Sequence, residues 1–371
     1  MRALIVGAGI GGLATSISLA QQGLDVTLVE RRETVEALGS GITLIGPSLR
    51  ALAALGLHDE CLRRGYGFSN FDTFALDGSV ASSFEIPSPV GTDQPGMLGM
   101  MRPALHSVLL DHALGLGVPI RTSAEPVSLH QVDAAVSVDF ADGSRGEFDL
   151  VVGADGVRST VRTLVFGDLP TTFRGQGCIR AVLPRPPGVS GEVQYHPAGD
   201  VFLGFTPTSD TSMYLYCSIP VPSDYRPTQE QIVDLLLEKT APFGGLVADV
   251  RPDIGDPSLV NFASFETVLV PEPWHRGGAV LLGDAAHCPT PQLAAGAAMC
   301  LEDAVVLGEE LGRSHSVEDA LAAYSARRYD RCRFVVDTAC QLSHWQTHPN
   351  TPGAEHERVT AEAFGRLAEP Y

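Results

Sequence analysis

Three short stretches combine glycine and acidic residues in a way that suits a flat, phosphate-bearing ligand. The first is Gly7-Ala8-Gly9-Ile10-Gly11-Gly12. An apolar run from Ala3 to Val6 precedes it and reads as a buried strand. A helix over Ile10 to Gln22, stopped by Gly23, follows it. A second strand, Leu24 to Glu30, ends on a carboxylate. In this context Gly7 permits a tight turn, Gly9 lets the backbone approach a pyrophosphate, and Gly12 lets helix and sheet pack closely. The helix N-terminus adds roughly half a positive charge for the anion. Glu30 can accept from both hydroxyls of a ribose and would repel a 2′-phosphate, so the expected dinucleotide is FAD or NAD rather than NADP. Without a ligand the same pattern is a glycine-rich turn and nothing more.

The second stretch is Gly153-Ala154-Asp155-Gly156-Val157-Arg158-Ser159, after a strand read from Phe148 to Val152. An acidic residue and glycine at the C-terminal end of a strand belong to the crevice where ligands of α/β sheets lie, although an Asp-Gly pair is also an ordinary turn. The third is Gly283-Asp284-Ala285-Ala286-His287, delivered to the same crevice by a strand from Gly278 to Leu282. Behind it Ala294, Ala295, Gly296, Ala297 and Ala298 form a small apolar loop whose N–H groups can come close to a flat ring, with a helix starting at about Ala298. His287 could serve as a base; the reading preferred here is a structural histidine satisfied by local backbone.

These stretches need a parallel sheet with helices on its faces, and the βαβ opening provides its start. From about 174 to 268 the pattern changes to short alternating strands interrupted by one helix, Thr228 to Thr240. The expected fold class is therefore α/β: a discontinuous Rossmann-type domain over 1–70, 97–173 and 269–330 with an inserted, mostly antiparallel sheet domain over 71–96 and 174–268. A helical segment is expected over 331–371.

Composition narrows the partners. Lys and Arg number 25 against 44 Asp and Glu, a net charge of −19, which argues against nucleic acid and anionic lipid. The single lysine, Lys239, argues against lysine-based catalysis. Seven cysteines with no CxxC pair form neither a disulfide framework nor a zinc site, so no metal is expected and a reducing, cytoplasmic setting is. No apolar run approaches the ~20 residues of a membrane span.

Six features follow one another along the chain. They are the GxGxxG, Glu30-Arg31, a helix opening on Arg102-Pro103-Ala104-Leu105, Gly-Ala-Asp-Gly, Gly-Asp-Ala-Ala-His and Glu302-Asp303-Ala304. In that order they resemble the single-component FAD-dependent aromatic hydroxylases, the para-hydroxybenzoate and salicylate hydroxylase family. The resemblance covers about residues 1 to 335. It implies FAD as cofactor and NADH or NADPH as a transient co-substrate. It also implies O₂ activated as a flavin C4a-hydroperoxide that hydroxylates a small aromatic or heteroaromatic ring. It places Glu30 on the FAD ribose, Arg31 and the backbone of Val127 by the adenine, and Arg102 on the flavin side chain or pyrophosphate. Asp155 and Gly156 would serve FAD and nicotinamide, and Asp284 the ribityl chain. Ala294 to Ala298 would line the flavin ring, and Gly41 to Thr43 would lie beside it. Many relatives carry Gly-Gln-Gly and a polar residue in the flavin loop; here only backbone can make those contacts.

The substrate pocket is expected between that loop and the inserted sheet. Pro291 and Gln292 would roof it, and Arg180, Tyr214 and Tyr216 are candidates from the sheet, with both tyrosines on one strand face. Arg180 could hold a carboxylate as a bidentate partner, and a tyrosine could deprotonate a phenol. The chain is read as a monomer or homodimer. Two other functions fit the same motifs: an FAD-dependent reductase or oxidase of a non-aromatic small molecule, and a non-catalytic flavin-binding protein.

Overall fold

The computed structural model describes residues 1–37 and 39–371. Its centre is a six-stranded sheet. The strands run in the order His275–Arg276, Ala279–Leu281, Leu150–Gly153, Arg2–Val6, Asp25–Val29 and Ile120–Arg121, all parallel except the first pair. Such strands are covered on both faces and read as continuous apolar runs; Ala3, Leu4, Ile5, Leu150, Val151, Val152, Val280 and Leu281 are fully buried. The helix Ile10–Gln21 follows the first strand and packs against the helix Gly296–Arg313.

The second layer is an eight-stranded sheet: His287–Cys288, Val260–Leu269, Thr172–Pro184, Ser212–Pro220, Phe202–Pro207, Glu192–Tyr195, Asn70–Phe74 and Val80–Glu85. It is antiparallel apart from one parallel pair, Glu192–Tyr195 with Asn70–Phe74. Its outer face buries Ile179, Ala181, Leu183, Val193, Tyr195, Leu203, Phe205, Met213, Leu215 and Cys217 under the helix Gln229–Thr240. That helix starts on a capping box, in which the Thr228 side chain accepts from the Gln231 N–H and the Gln231 side chain returns the bond. A small sheet of Tyr66–Phe68, Met97–Met101 and Gly41–Leu44 joins the two layers. Among the described residues no helix is long and apolar enough to cross a membrane.

Three expectations need correction. The strand read from Phe148 to Val152 is two elements, Arg145–Phe148 and Leu150–Gly153, in different sheets. The chain breaks at Asp149, whose carboxylate accepts the Arg2 N–H at 2.7 Å. The boundary at 330/331 falls inside one continuous helix, Val317–Thr347, which buries Tyr324, Arg328, Val335 and Ala339 on both sides of that point. The helix expected from Ala298 begins at Gly296, so three of the five small residues of the loop, Gly296 to Ala298, are its first turn.

Candidate active site

The glycine loop leaves the first strand at Gly7, whose φ of +103° lies in the region open to glycine. A Cβ on Gly7 would also overlap the carbonyl of Ala154. A Cβ on Gly12 would overlap the Gly7 carbonyl, whereas Gly9 faces open space. The turn is thus close-packed behind and open in front. In front of it lies a cleft of about 380 Å³, lined by Gly7, Ala8, Gly9, Glu30, Arg31, Arg102, His106, Glu125, Asp155 and Gly156 among others.

Glu30 is fixed by backbone: its Oε2 accepts the Ala8 N–H and its Oε1 the Arg32 N–H, both at 3.0 Å. The carboxylate is therefore oriented and retains lone pairs for a ligand's hydroxyls. His106 adds a 2.8 Å contact from Nε2 to the Ala8 carbonyl. Arg31 and Arg102 line the cleft as cations. Val127 is half exposed, and the cleft wall at that point comes from its neighbours Ala124, Glu125 and Pro126. Asp155 lines the cleft, but its carboxylate is engaged with the Ser159 hydroxyl and the Val161 N–H, bracing the helix Thr160–Phe166. Burial pushes the Asp155 pKa up against these bonds.

The Gly-Asp motif sits on a 3₁₀ turn, Gly283–Ala285, at the end of the strand Ala279–Leu281. Burial raises the Asp284 pKa, with His287 and the cleft-lining Arg102 acting in the opposite direction. His287 does not rest on local backbone. Its Nε2 meets Asp303 Oδ2 at 2.7 Å, while Arg328 Nε donates to Asp303 Oδ1 at 2.7 Å. Asp303 Oδ2 also accepts the Gly283 N–H at 3.0 Å. All three side chains are buried. Burial works against charge on His287, but Cys332 and Asp303 outweigh it and hold its pKa well above the imidazole norm. Burial would raise Asp303; His287 and Arg328 instead pull it down to about 2. The cluster is a brace under the Gly-Asp turn, and Arg328 already supplies the cation beside Asp303. Asp303 and Arg328 were not singled out as site residues in the sequence, although the Glu-Asp pair stands in the third motif region.

Past the turn, Pro291–Leu293 is a 3₁₀ segment and Ala294 takes a left-handed φ of +50°. Ala295 is buried, and Gly296, Ala297 and Ala298 form a helix start whose N–H groups have no partner within the helix. Pro291 is exposed. Gln292 donates its amide to Gln346 at 2.9 Å, which ties this segment to the long helix; its Oε1 is buried with no partner among the described residues.

On the sheet, the side chains opposite the helix-covered core face the cofactor layer. Register places Arg180, Tyr216, Gly204 and Gln194 in one row and Val182, Tyr214 and Thr206 in the next. The tyrosine rings lie 6.0 Å apart, on the same face as the alternation required. Tyr214 reaches Thr43, with 2.6 Å between hydroxyl oxygens. Glu192, which sequence reasoning missed, is buried on this face, where it accepts from Tyr216 at 2.8 Å and Thr206 at 2.6 Å.

FAD suits this arrangement on the molecule's own terms. The cleft combines a glycine turn open at Gly9, a backbone-locked carboxylate and three cations, Arg31, Arg32 and Arg102. Beyond it the Ser40 and Thr290 hydroxyls are buried with no partner among the described residues. The FAD binding domain family model matches residues 1–339. A 2-heptyl-3-hydroxy-4(1H)-quinolone synthase from Pseudomonas aeruginosa is 36% identical over 341 residues, covering 90% of this chain and 87% of its own. The tetrameric form of 2-methyl-3-hydroxypyridine-5-carboxylic acid oxygenase superposes with a TM-score of 0.78 at 27% identity, covering 98% of this chain and 97% of that one. Klebsiella pneumoniae HpxO, solved with FAD and uric acid, shares the fold with a TM-score of 0.84 at 24% identity, covering 100% and 93%.

Proposed function

The chain belongs to the FAD binding domain family and is an FAD-dependent monooxygenase, and on that premise we propose that its substrate is a small nitrogen heteroaromatic compound with an ionisable ring hydroxyl or its keto tautomer. The observation that carries this reading is the face holding Arg180, Tyr214, Tyr216 and Glu192, which is polar, aromatic, and tied at Thr43 to the cofactor side. Quinolone and hydroxypyridine rings are the chemistry named for two of the relatives.

In this reading the loop from Gly7 to Gly12 and the helix behind it hold the pyrophosphate, and Glu30 holds the adenosine ribose. Arg31 lies toward the adenine, and Arg102 and Asp284 hold the middle of the cofactor. The N–H groups from Ala295 to Ala298 face the flavin ring. FAD, once reduced by NADH or NADPH, supplies the activated oxygen. The protein's task is to orient the ring, exclude water and take up the proton that makes the ring electron-rich. The flanking Arg180 is suited to an anionic substituent. The nicotinamide docks transiently, the chain is a monomer or homodimer, and the seven free cysteines fit a reducing cytoplasm.

The test is reduction of the bound flavin by NADH and by NADPH without oxygen, then with it, across 4-quinolones, hydroxypyridines, phenols and aromatic carboxylates. A heteroaromatic compound should accelerate reduction and be hydroxylated with matching oxygen consumption. Reduction with no product from any compound would point to a reductase or oxidase, and no reduction by either nicotinamide to a flavin-binding protein.

A further inference from the structure

The buried hydrogen bonds around Glu192 form a connected, directed chain. Tyr216 Oη donates to Glu192 Oε1 at 2.8 Å, and Thr206 Oγ1 donates to Glu192 Oε2 at 2.6 Å. A hydroxyl has one proton to give. Thr206 has given its own to the carboxylate, so the 2.8 Å contact between Thr206 and Thr43 makes Thr43 the donor. Thr43 has then given its own, so in the 2.6 Å contact between Thr43 and Tyr214 the tyrosine is the donor. Every hydroxyl points toward Glu192, directly from Tyr216 and through two threonines from Tyr214.

Two glycines make room for this chain. A Cβ on Gly204 would overlap the Tyr216 hydroxyl, and one on Gly41 would overlap the Tyr214 ring. Without them the Tyr216 ring could not lie across the neighbouring strand, nor the Tyr214 ring pass Gly41 of the small sheet, to reach their partners. Thr206, Glu192 and Tyr214 are each at most 5% exposed, while Tyr216 and Arg180 are half-buried at the open end.

We propose that Glu192 is the proton acceptor of the substrate pocket, acting through Tyr216. A ligand hydroxyl gives its proton to the Tyr216 oxygen as Tyr216 passes its own to Glu192, leaving an anionic ligand, a neutral tyrosine and a carboxylic acid. The bonds balance: one ligand O–H breaks, one Tyr216 O–H breaks and re-forms, and one O–H forms on Glu192. Glu192 touches no ligand and is a positioning and proton-accepting residue. The inference rests on the proposed function for the ligand's identity, but not for the chain of bonds.

A carboxylate that stayed ionised at all pH values could not play this part. Burial pushes Glu192 up to about 7, against the two hydroxyl bonds that hold it down. The titratable groups facing it are Tyr216 and Tyr214 on the strand Ser212–Pro220, with Arg180 of the neighbouring strand beside Tyr216. Thr206, Thr43 and Phe71, its neighbours from the other packed strands, do not titrate.

The experiment uses the FAD-loaded protein without turnover, so it stands apart from the test for monooxygenation. Infrared spectra are recorded from pH 5 to pH 9. A carboxylic acid C=O band should titrate near neutrality, vanish in Glu192→Gln, and shift in Tyr216→Phe and Thr206→Val. The probe 4-nitrophenol, whose ionised form is coloured, is then added. Wild-type protein should bind it largely ionised at pH 7, and Glu192→Gln or Tyr216→Phe should lower the bound phenolate-to-phenol ratio about tenfold, one pKa unit. Glu192→Asp should restore part of that ratio. A carboxyl band that does not titrate, a ratio unmoved in both variants, or no spectral response to the probe would each overturn the proposal. Should Glu192→Gln fail to fold, Tyr216→Phe and Thr206→Val carry the same readings.

Discussion

Asp303→Asn tests the brace beneath the Gly-Asp turn. Asp303 is the common acceptor for the His287 ring, the Arg328 guanidinium and the Gly283 N–H. Asparagine keeps the shape but offers one oxygen and two N–H donors, so one of these partners faces a donor. Removing one member of a buried ion pair costs about 3–5 kcal/mol. Arg328 retains a 2.8 Å bond to Glu302, so about 3 kcal/mol is expected at pH 8. At lower pH the loss should grow. In the native protein His287 titrates well above the imidazole norm, so its contribution is fully present below about 6.5 and fades only as pH rises through that higher value. With Asp303 neutral, His287 keeps Cys332 beside it but loses the carboxylate that helped to offset burial, so its folded-state pKa falls and the variant gains less from protonation of His287 than the native protein does. Were the folded-state pKa to fall below 5, that would add up to about 2 kcal/mol of destabilisation at pH 5, 1.5 units below the ordinary value. Denaturant titrations at the two pH values, followed by tryptophan fluorescence, are suited to this because Trp274 is buried with its ring 4.9 Å from the His287 ring. A loss below about 1 kcal/mol at both pH values, or a loss no larger at pH 5 than at pH 8, would refute the reasoning.

Three further outcomes follow from the same structure. Glu30→Ala removes charged hydrogen-bond acceptors worth about 1.5–3 kcal/mol each, so FAD should bind roughly ten- to a hundredfold more weakly in a fluorescence titration of the apoprotein; an unchanged dissociation constant would show that Glu30 does not meet the cofactor. Gly12→Ala places a methyl on the Gly7 carbonyl and should yield protein purified without flavin, seen as a lost flavin absorption band in the visible; normal flavin content would mean that the turn relaxes. Glu192→Gln should stabilise the fold by about 3 kcal/mol at pH 8 and by little near pH 4, because a folded-state pKa of about 7 against 4.5 makes the native carboxylate unfavourable as pH rises between those values. Thermal melts at the two pH values check it, and equal shifts at both would exclude titration of Glu192 as the cause.

What could be read from the chain was what depends on neighbours in sequence. The glycine turn, the strand ends carrying Glu30 and Asp284, and the shared face of Tyr214 and Tyr216 follow from steric rules that operate within a few residues. Val127 shows the limit of such reading: it stands in the strand Pro126–Val132, and the cleft wall falls on the three residues before it, Ala124, Glu125 and Pro126. His287 shows another. Both it and Asp303 stand within recognisable motifs, yet their pairing depends on the helix Gly296–Arg313 running back beneath the turn, and no local periodicity encodes that return.

Glu192 owes its place to contacts distant in sequence and carries the most chemistry. Its partners lie 14 and 24 residues away on two other strands, and one link of the chain reaches 163 residues to Thr43. A signal was nonetheless present. A carboxylate at the edge of a strand that alternates with Val193 and Tyr195 must face the same way as Gln194, away from the helix-covered core. Gly204, an otherwise unfavourable residue in a central strand, marks a place where another group crosses closely. An acidic residue on the functional face and a glycine in the adjoining strand together point to a buried carboxylate reached by a long side chain. The same pattern offers a way to seek a proton acceptor in other members of the family, where a tyrosine crosses a glycine between the cofactor layer and the sheet.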